Sequence, residues 1–500
     1  MTGRLTIRDL TAFGCVVGFF LCCYFRLLTT GYLELDDLGR VQVGYNLWAE
    51  DGRLLTAAMM AGLSFGGRLF DISPGPQLAA VALMGVAATL LARAFLSLSP
   101  GRIVIVSILL FATPFYLQNI TYVFDSLSMT TSVVLALWSW LLLQRPGRRH
   151  AAAGVVSLVA VLMLYQPSLN VFLAFNAADI LYRLARTPMT AQHAAVRALA
   201  VLVAGVLVDG IVLVLLRATG LVVFPTYQSQ HVSMMSVREL HRLLPDNLAD
   251  MLSLVTRVIP AGSVQGVLIL LLLGGCLILC GTGLRARLRD SGARTRILPW
   301  LLFGTAASVL LTAFAGPMAL LRNPVVQPRV FVGIGAMVGA ASLCTMRLLP
   351  SGRFRTLPII AGMLLAGCFM REDFAYGALI RDLDRYEASV LPGIARDINT
   401  VHAATGIGTL QMLGAMPYPV VMRHGLDRAS GLQPLFDNPL NGISWFGVAL
   451  LWQYGLEDGI VFSDPDPAAS LCPGYRPTGP GYSVGHDRRS IILIFRNGCP

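Results

Sequence analysis

The chain has 500 residues, of which 55% are hydrophobic and 13% charged, with a mean hydropathy of +0.67. A soluble domain carries about twice that charged fraction, so an ordinary soluble enzyme is excluded and a polytopic membrane protein is indicated. The formal charge is +11 and every fixed cation is arginine; these sit mostly in short loops between apolar runs, where they set membrane orientation rather than bind nucleic acid.

The first apolar run, 11–30, is long enough to cross a bilayer. No small-residue cleavage site follows it, so it reads as a retained transmembrane helix rather than a signal peptide. Directly after it, Glu34-Leu35-Asp36-Asp37-Leu38-Gly39-Arg40 sets two adjacent carboxylates at a membrane face. Neighbouring carboxylates raise each other's proton affinity. Such a pair serves chemistry or caps the helix that follows. Leu38, Val41, Tyr45 and Trp48 keep helical spacing. They predict an amphipathic helix lying on the membrane, with Tyr45 and Trp48 at the interface. The whole of 31–76 reads as one long polar loop.

Further apolar runs cover 77–98, 101–118, 127–144, 151–166, 168–183, 195–216, 262–284, 297–315, 329–348 and 357–371. Together they predict about eleven spans. Gln166-Pro167-Ser168 marks either a turn between two helices or a kink in one. The strongly basic short loops (Arg145 to Arg149, Arg183 to Arg197, Arg285 to Arg296, Arg347 to Arg355) fall on one side. That side is cytoplasmic by the positive-inside rule, with the N-terminus. The acidic loop and everything after about 372 then lie on the other side.

From 372 to 500 the composition turns polar. A charged helix is expected over 379–403, strands over 409–413, 419–422 and 490–495, and a helix over 445–454. The expected organisation is a transmembrane unit, 1–371, and a small extracytoplasmic α/β domain, 372–500. Seven of the nine cysteines lie in or beside apolar runs, as small buried hydrophobes. Cys472 and Cys499 stand in the polar tail and are placed to pair in an oxidising compartment. No cysteine or histidine spacing indicates zinc. Gly333-Ile334-Gly335 lies within a span, where small residues serve close helix packing.

Polar residues from separate loops collect on the outer side. They include Asp36, Asp37, Arg40, Asp71, Gln77, Asn119, Tyr122, Asp125, Gln166, Arg322 and Arg329. Singly, each has a plainer reading: Asp71 and Asp125 as helix caps, Arg322 and Arg329 as interfacial anchors. As a set they suit an anionic, lipid-linked, polyhydroxylated ligand. Glycosyl transfer from a polyprenyl-phosphate sugar needs a carboxylate to take the acceptor's proton and positive charge for the departing phosphate. Asp36 or Asp37 supplies the first; Arg40, Arg322 and Arg329 are candidates for the second. Asp71, Gln77, Asn119, Tyr122, Asp125 and Gln166 are candidates to read sugar hydroxyls. Paired aspartates also offer oxygen ligands to Mg²⁺ or Mn²⁺ at Asp36 and Asp37. With arginines at hand for the phosphate, no cofactor is required.

The run Asp36-Asp37-Leu38-Gly39-Arg40 with Tyr45, Gly52-Arg53 and Asp71-Ile72-Ser73-Pro74-Gly75-Pro76-Gln77 resembles the type II (Gtr-type) serotype-converting glucosyltransferases of phage and bacterial O-antigen modification. Asn119-Ile120-Thr121-Tyr122, Phe124-Asp125-Ser126-Leu127-Ser128-Met129 and Tyr165-Gln166 are similar to that family too. The likeness spans most of the first 180 residues, then thins to hydropathy and Pro328-Arg329. It implies a GT-C-type membrane fold in the bacterial inner membrane, with the acidic motif in the first periplasmic loop. It also implies undecaprenyl-phosphate glucose as donor and lipopolysaccharide O-antigen, or another surface glycan, as acceptor. The alternative is a lipid-linked glycan flippase, which would carry charge within its spans; here charge is concentrated at one face.

Overall fold

The computed structural model describes residues 5–222, 233–290, 297–349, 354–441, 445–464, 479 and 481–495. Cys472 and Cys499 lie outside the described residues, and so does the pairing expected of them. The chain opens with α1 (Ile7–Thr30), α2 (Leu35–Val43), α3 (Leu54–Leu63), α4 (Gly75–Ala94), α5 (Pro100–Phe111) and α6 (Pro114–Thr121). There follow α7 (Ser126–Leu143), α8 (Arg148–Leu164), α9 (Leu169–Arg186) and α10 (Pro188–Ala218). Later helices are Val237–Val258, Val264–Asp290, Ile297–Thr312, Gly333–Leu348 and Leu357–Thr405.

The apolar runs fall on helices, yet not all of those helices cross a membrane on their own terms. Among the described residues, six are long and apolar enough: α1, α4, α7, α10, Val264–Asp290 and Pro328–Leu348. The α5–α6 pair, bent by 70° at its break, makes a seventh if counted as one span. Gln166-Pro167-Ser168 is a turn between α8 and α9. Helix α8 has 17 residues and Ile297–Thr312 has 16, while α9 carries Asp179, Arg183 and Arg186. The expected count of about eleven therefore exceeds what length and composition support. The run at 357–371 is the start of a 49-residue helix that continues to Thr405, past the expected boundary at 372.

The helices pack through small residues, because lipid gives no hydrophobic drive between them. Helix Gly333–Leu348 lies against α5, α9 and Val264–Asp290. A Cβ on Gly335 would sit 2.1 Å from the Leu110 carbonyl oxygen, and one on Gly333 would sit 1.9 Å from that of Ala313. These glycines serve close backbone approach, as their position in a span predicts.

The C-terminal part holds a four-stranded sheet, β1 (Thr409–Leu413), β2 (Val461–Phe462), β3 (Tyr482–His486) and β4 (Ile491–Phe495), in the order β2-β1-β4-β3. Strand β1 is parallel to β2 and β4, while β3 and β4 are antiparallel. Two of the expected strands and the helix near 445–454 are present, the last as Phe446–Gln453. The expected strand at 419–422 is instead the start of helix Val420–Arg428. The sheet's core is built from Leu391, Ile394, Leu410, Met412, Val448 and Leu493, and Leu38 of α2 belongs to it.

Gly335→Ala is expected to cost about 1–3 kcal/mol by overpacking against backbone that cannot yield. Gly14→Ala, with nothing within 4 Å of its Cβ, is expected to be neutral. Thermal unfolding of the detergent-solubilised protein compares the two.

Candidate active site

Helix α2 forms where acids help it and stops where glycine must. Asp36 and Asp37 occupy its first turn, where the helix dipole favours negative charge. Gly44 ends it at φ 72°, its N–H donating to the Arg40 carbonyl, an arrangement only glycine adopts without cost. On one side Leu38 enters the core of the sheet, and Gly39 lies under the Trp445 ring, 2.3 Å from where a Cβ would stand. On the other side Asp37 and Arg40 meet the segment that joins α6 to α7.

The centre of that meeting is Asp125, which is 1% exposed. Arg40 Nη1 lies 2.7 Å from its Oδ2 and Arg53 Nη1 lies 2.6 Å from its Oδ1. The Trp48 indole N–H donates to Oδ1 at 2.9 Å. Burial alone would raise this carboxyl, but the two guanidiniums outweigh it and hold Asp125 down at about 2. Arg53 also donates to the Leu164 carbonyl at 2.8 Å and to Ser128 Oγ at 3.1 Å. Arg40 stacks over Trp48, 4.2 Å from its centroid. Trp48 is therefore buried and hydrogen-bonded, not at the membrane interface. The short helical turn Trp48–Asp51, after the break at Gly44, carries it inward.

The two adjacent aspartates diverge. Asp37 is fully buried; its Oδ2 accepts from the Val123 N–H at 2.8 Å, and its Oδ1 is 3.4 Å from Arg40. Arg40 is closer to Asp125, so it compensates Asp37 only in part. Burial pushes the Asp37 carboxyl up to about 8, against the pull of Arg40. The Asp36 side chain is 34% exposed, and its Oδ2 faces Arg329 Nη1 at 3.4 Å. Glu34, next to them, is buried and accepts from the Tyr376 hydroxyl at 3.3 Å. Burial and then the charges of Asp437 and Asp37 raise its carboxyl well above the usual range. Burial likewise raises Asp437, from the C-terminal part.

Arg329 is held from several directions. Its N–H donates to Gln118 Oε1 at 3.2 Å. Its carbonyl accepts from Asn119 Nδ2 at 3.1 Å and from the Tyr165 hydroxyl at 2.8 Å. Its guanidinium lies over the Tyr122 ring, 4.4 Å from the centroid. Gln118 Nε2 donates in turn to the Leu435 carbonyl at 3.0 Å, which ties this cradle to the C-terminal part.

The structure thus gathers Asp36, Asp37, Arg40, Asn119, Tyr122, Asp125 and Arg329 in one place. Gln166 is joined to the same loop through the Asp51 carbonyl, at 3.1 Å. Gln77 is buried in the first turn of α4, and its Oε1 has no hydrogen-bond partner. Asp71 is exposed and accepts from the Ser73 N–H at 2.7 Å in a local turn. Arg322 is half-exposed and pairs with Glu239 at 3.1 Å, not with the acidic pair. Gln118 was among the polar residues expected on this face, while Arg53, Trp48 and Tyr376 join the site without having been assigned to it from sequence. Of these, Arg53 stood inside the quoted motif. Among the described residues, the group whose donor atoms converge within 4.8 Å for a metal ion is Cys276, Cys280 and Cys344, which are not part of this site.

Known proteins agree with the sequence likeness. The profile of the family described as glucosyl transferase GtrII matches residues 25–339, which contain every arginine and aspartate of the cluster except Asp437. A Salmonella phage P22 protein, described as an uncharacterized 55.3 kDa protein in the gtrB 5′ region, is 24% identical over 490 residues. That likeness covers 96% of this chain and 97% of the phage protein. No solved structure matches the chain.

Two outcomes are expected. Asp125→Ala leaves Arg53 buried without its paired carboxylate and Arg40 with only the longer contact to Asp37, at 3.4 Å, which costs about 3–5 kcal/mol and should appear as a large fall in Tm. For Asp37, the folded-state pKa near 8 lies above the unfolded value near 3.8. Its contribution to stability is present below about pH 4 and is lost as pH rises toward 8. Asp37→Asn should therefore flatten the decline of Tm across that window, measured side by side with wild type.

Proposed function

The chain belongs to the glucosyl transferase GtrII family, and on that premise we propose that it moves a glucosyl residue from a polyprenyl-phosphate sugar onto lipopolysaccharide O-antigen or another surface glycan. The observation that carries the reading is the pairing of a partly exposed Asp36 with a braced Arg329, 3.4 Å apart, beside buried acids. The acceptor hydroxyl attacks C1 of the donor sugar as the C1–O bond to phosphate breaks, and the electron pair leaves on the phosphate. Asp36 accepts the hydroxyl proton, and configuration at C1 inverts. Arg329, with its remaining guanidinium nitrogens, answers the charge that develops on the phosphate.

Asp37 has a different part. With its carboxyl raised to about 8, it is mostly protonated at neutral pH and is a poor general base there. It fixes the start of α7 through the Val123 N–H. Arg40 and Arg53 are committed to Asp125 and hold the loop rather than the donor. On this reading the arginine-rich loops stay cytoplasmic, and Asp36 with the 372–500 segment faces the periplasm.

Sugar transfer in membranes supplied with labelled undecaprenyl-phosphate glucose and lipopolysaccharide tests the reading. Asp36→Asn should lose about 100-fold or more of the rate while still inserting normally. Asp37→Asn, close in shape to the protonated acid, should stay within about tenfold of wild type. Transfer should also survive chelation of divalent ions, since Arg329 supplies the positive charge. Absence of transfer from any polyprenyl-phosphate sugar would overturn the proposal.

A further inference from the structure

At the end of the helix bundle away from Asp36, a cavity of about 440 Å³ opens between helix ends. Helix α7 gives the separation: it starts one residue after Asp125 and ends at Leu143, beside the cavity, and its 18 residues span about 27 Å. The lining includes Arg93, Arg145, Arg347, Gln144, Trp138 and Tyr182. None of these takes part in the acidic cluster.

Each arginine has a definite setting. Arg93 pairs with Asp9 at 3.0 Å. Arg347 pairs with Asp179 at 3.1 Å, and its guanidinium lies over Tyr182 at 3.7 Å and Phe95 at 4.9 Å. Arg183 reaches Asp179 at 2.6 Å and donates to Gln144 Oε1 at 2.7 Å. Arg8 donates to the carbonyls of Phe95, Leu96 and Leu98 on the rim. Arg145 is exposed, and among the described residues no acid pairs with it. Among the described residues, these five guanidiniums meet two carboxylates, those of Asp9 and Asp179, and Arg197 adds a further cation through the carbonyls of Leu143 and Arg145. The C-terminal ends of α4, α7, α9 and Gly333–Leu348 answer some of that excess through their dipoles, but Arg145 remains open. The lip is apolar, with Leu96 73% exposed, and Trp138 and Tyr182 form aromatic walls.

We propose that this cavity binds the phosphate headgroup of an anionic phospholipid, with Arg145 as the free cation that reads the charge and the leucine lip against the acyl chains. Basic pockets between span ends bind such headgroups, and a planar guanidinium suits phosphate oxygens. The site is separate from the sugar-transfer site and does not depend on the reaction proposed there.

Native mass spectrometry of the full chain in detergent, titrated with phosphatidylglycerol or with phosphatidylcholine of the same acyl length, tests this. Wild type should retain phosphatidylglycerol and not phosphatidylcholine. Arg145→Gln should weaken retention about fivefold, the effect of one cation near a charged headgroup. Arg145→Lys should keep it, and Arg287→Gln, an exposed arginine on another helix, should leave it unchanged. Equal retention of both lipids, or equal loss in Arg145→Gln and Arg287→Gln, overturns the proposal. Displacement of the lipid by inorganic phosphate at matched concentration overturns the lipid assignment.

Discussion

A carboxylate buried in a membrane protein must be answered by charge, and Asp125 sets the terms for everything around it. An uncompensated ion in such surroundings would cost several kcal/mol. Arg40, Arg53 and the Trp48 indole all converge on its two oxygens. These partners come from three successive pieces of the 31–76 loop, so one acid at the head of α7 ties together a stretch whose small core is Trp48, Met60 and Leu69 packed with Val123 and Phe124. Once Arg40 is committed, Asp37 beside it is left buried with weak compensation and drifts toward the protonated form. Asp36, one residue earlier and turned outward, keeps solvent access. The division of labour between two adjacent aspartates follows from where Asp125 stands.

The second constraint comes from the opposite side of α2. Leu38 is part of the sheet's hydrophobic core and Gly39 fits under Trp445. Gln118, which braces Arg329, bonds to the Leu435 carbonyl. The C-terminal part is thereby built into the site: it grips the helix that carries Asp36 and the cradle that carries Arg329. A slip at either contact would change the Asp36–Arg329 distance without touching either residue.

Much of this was legible in the sequence, for physical reasons. Apolar runs read as helices because burial in lipid or bundle demands them, and Gly333 and Gly335 read as packing residues because only small side chains permit such contact. The acidic motif, Asn119, Asp125 and Arg329 were legible as a polar set on one side. What pattern does not carry is which partner each charge takes. Nothing local says that Asp71 ends in its own turn, that Arg322 finds Glu239, or that Arg53 reaches Asp125. Trp48 was misplaced because helical spacing continued past Gly44, where the helix stops. Val420-Val421-Met422 read as strand because a short apolar run has no decisive period; strand β3, with a glycine in it, was too weak a signal to see. The expected span count exceeds the six or seven helices that pass on length and composition among the described residues, because apolar stretches of 16 or 17 residues look alike whether or not they cross unaided.

Chemical rescue tests most directly whether Asp36 acts as the base while Asp125 holds the loop. Glucosyl transfer would be measured for Asp36→Ala, Asp37→Ala and Asp125→Ala with and without added formate, a small carboxylate that can take the place of a missing side-chain base. The account predicts that formate restores transfer to Asp36→Ala and leaves Asp125→Ala inactive, because a diffusible anion does not rebuild the fold around Arg40 and Arg53. Rescue of Asp37→Ala with none for Asp36→Ala would contradict it and move the base to the buried acid.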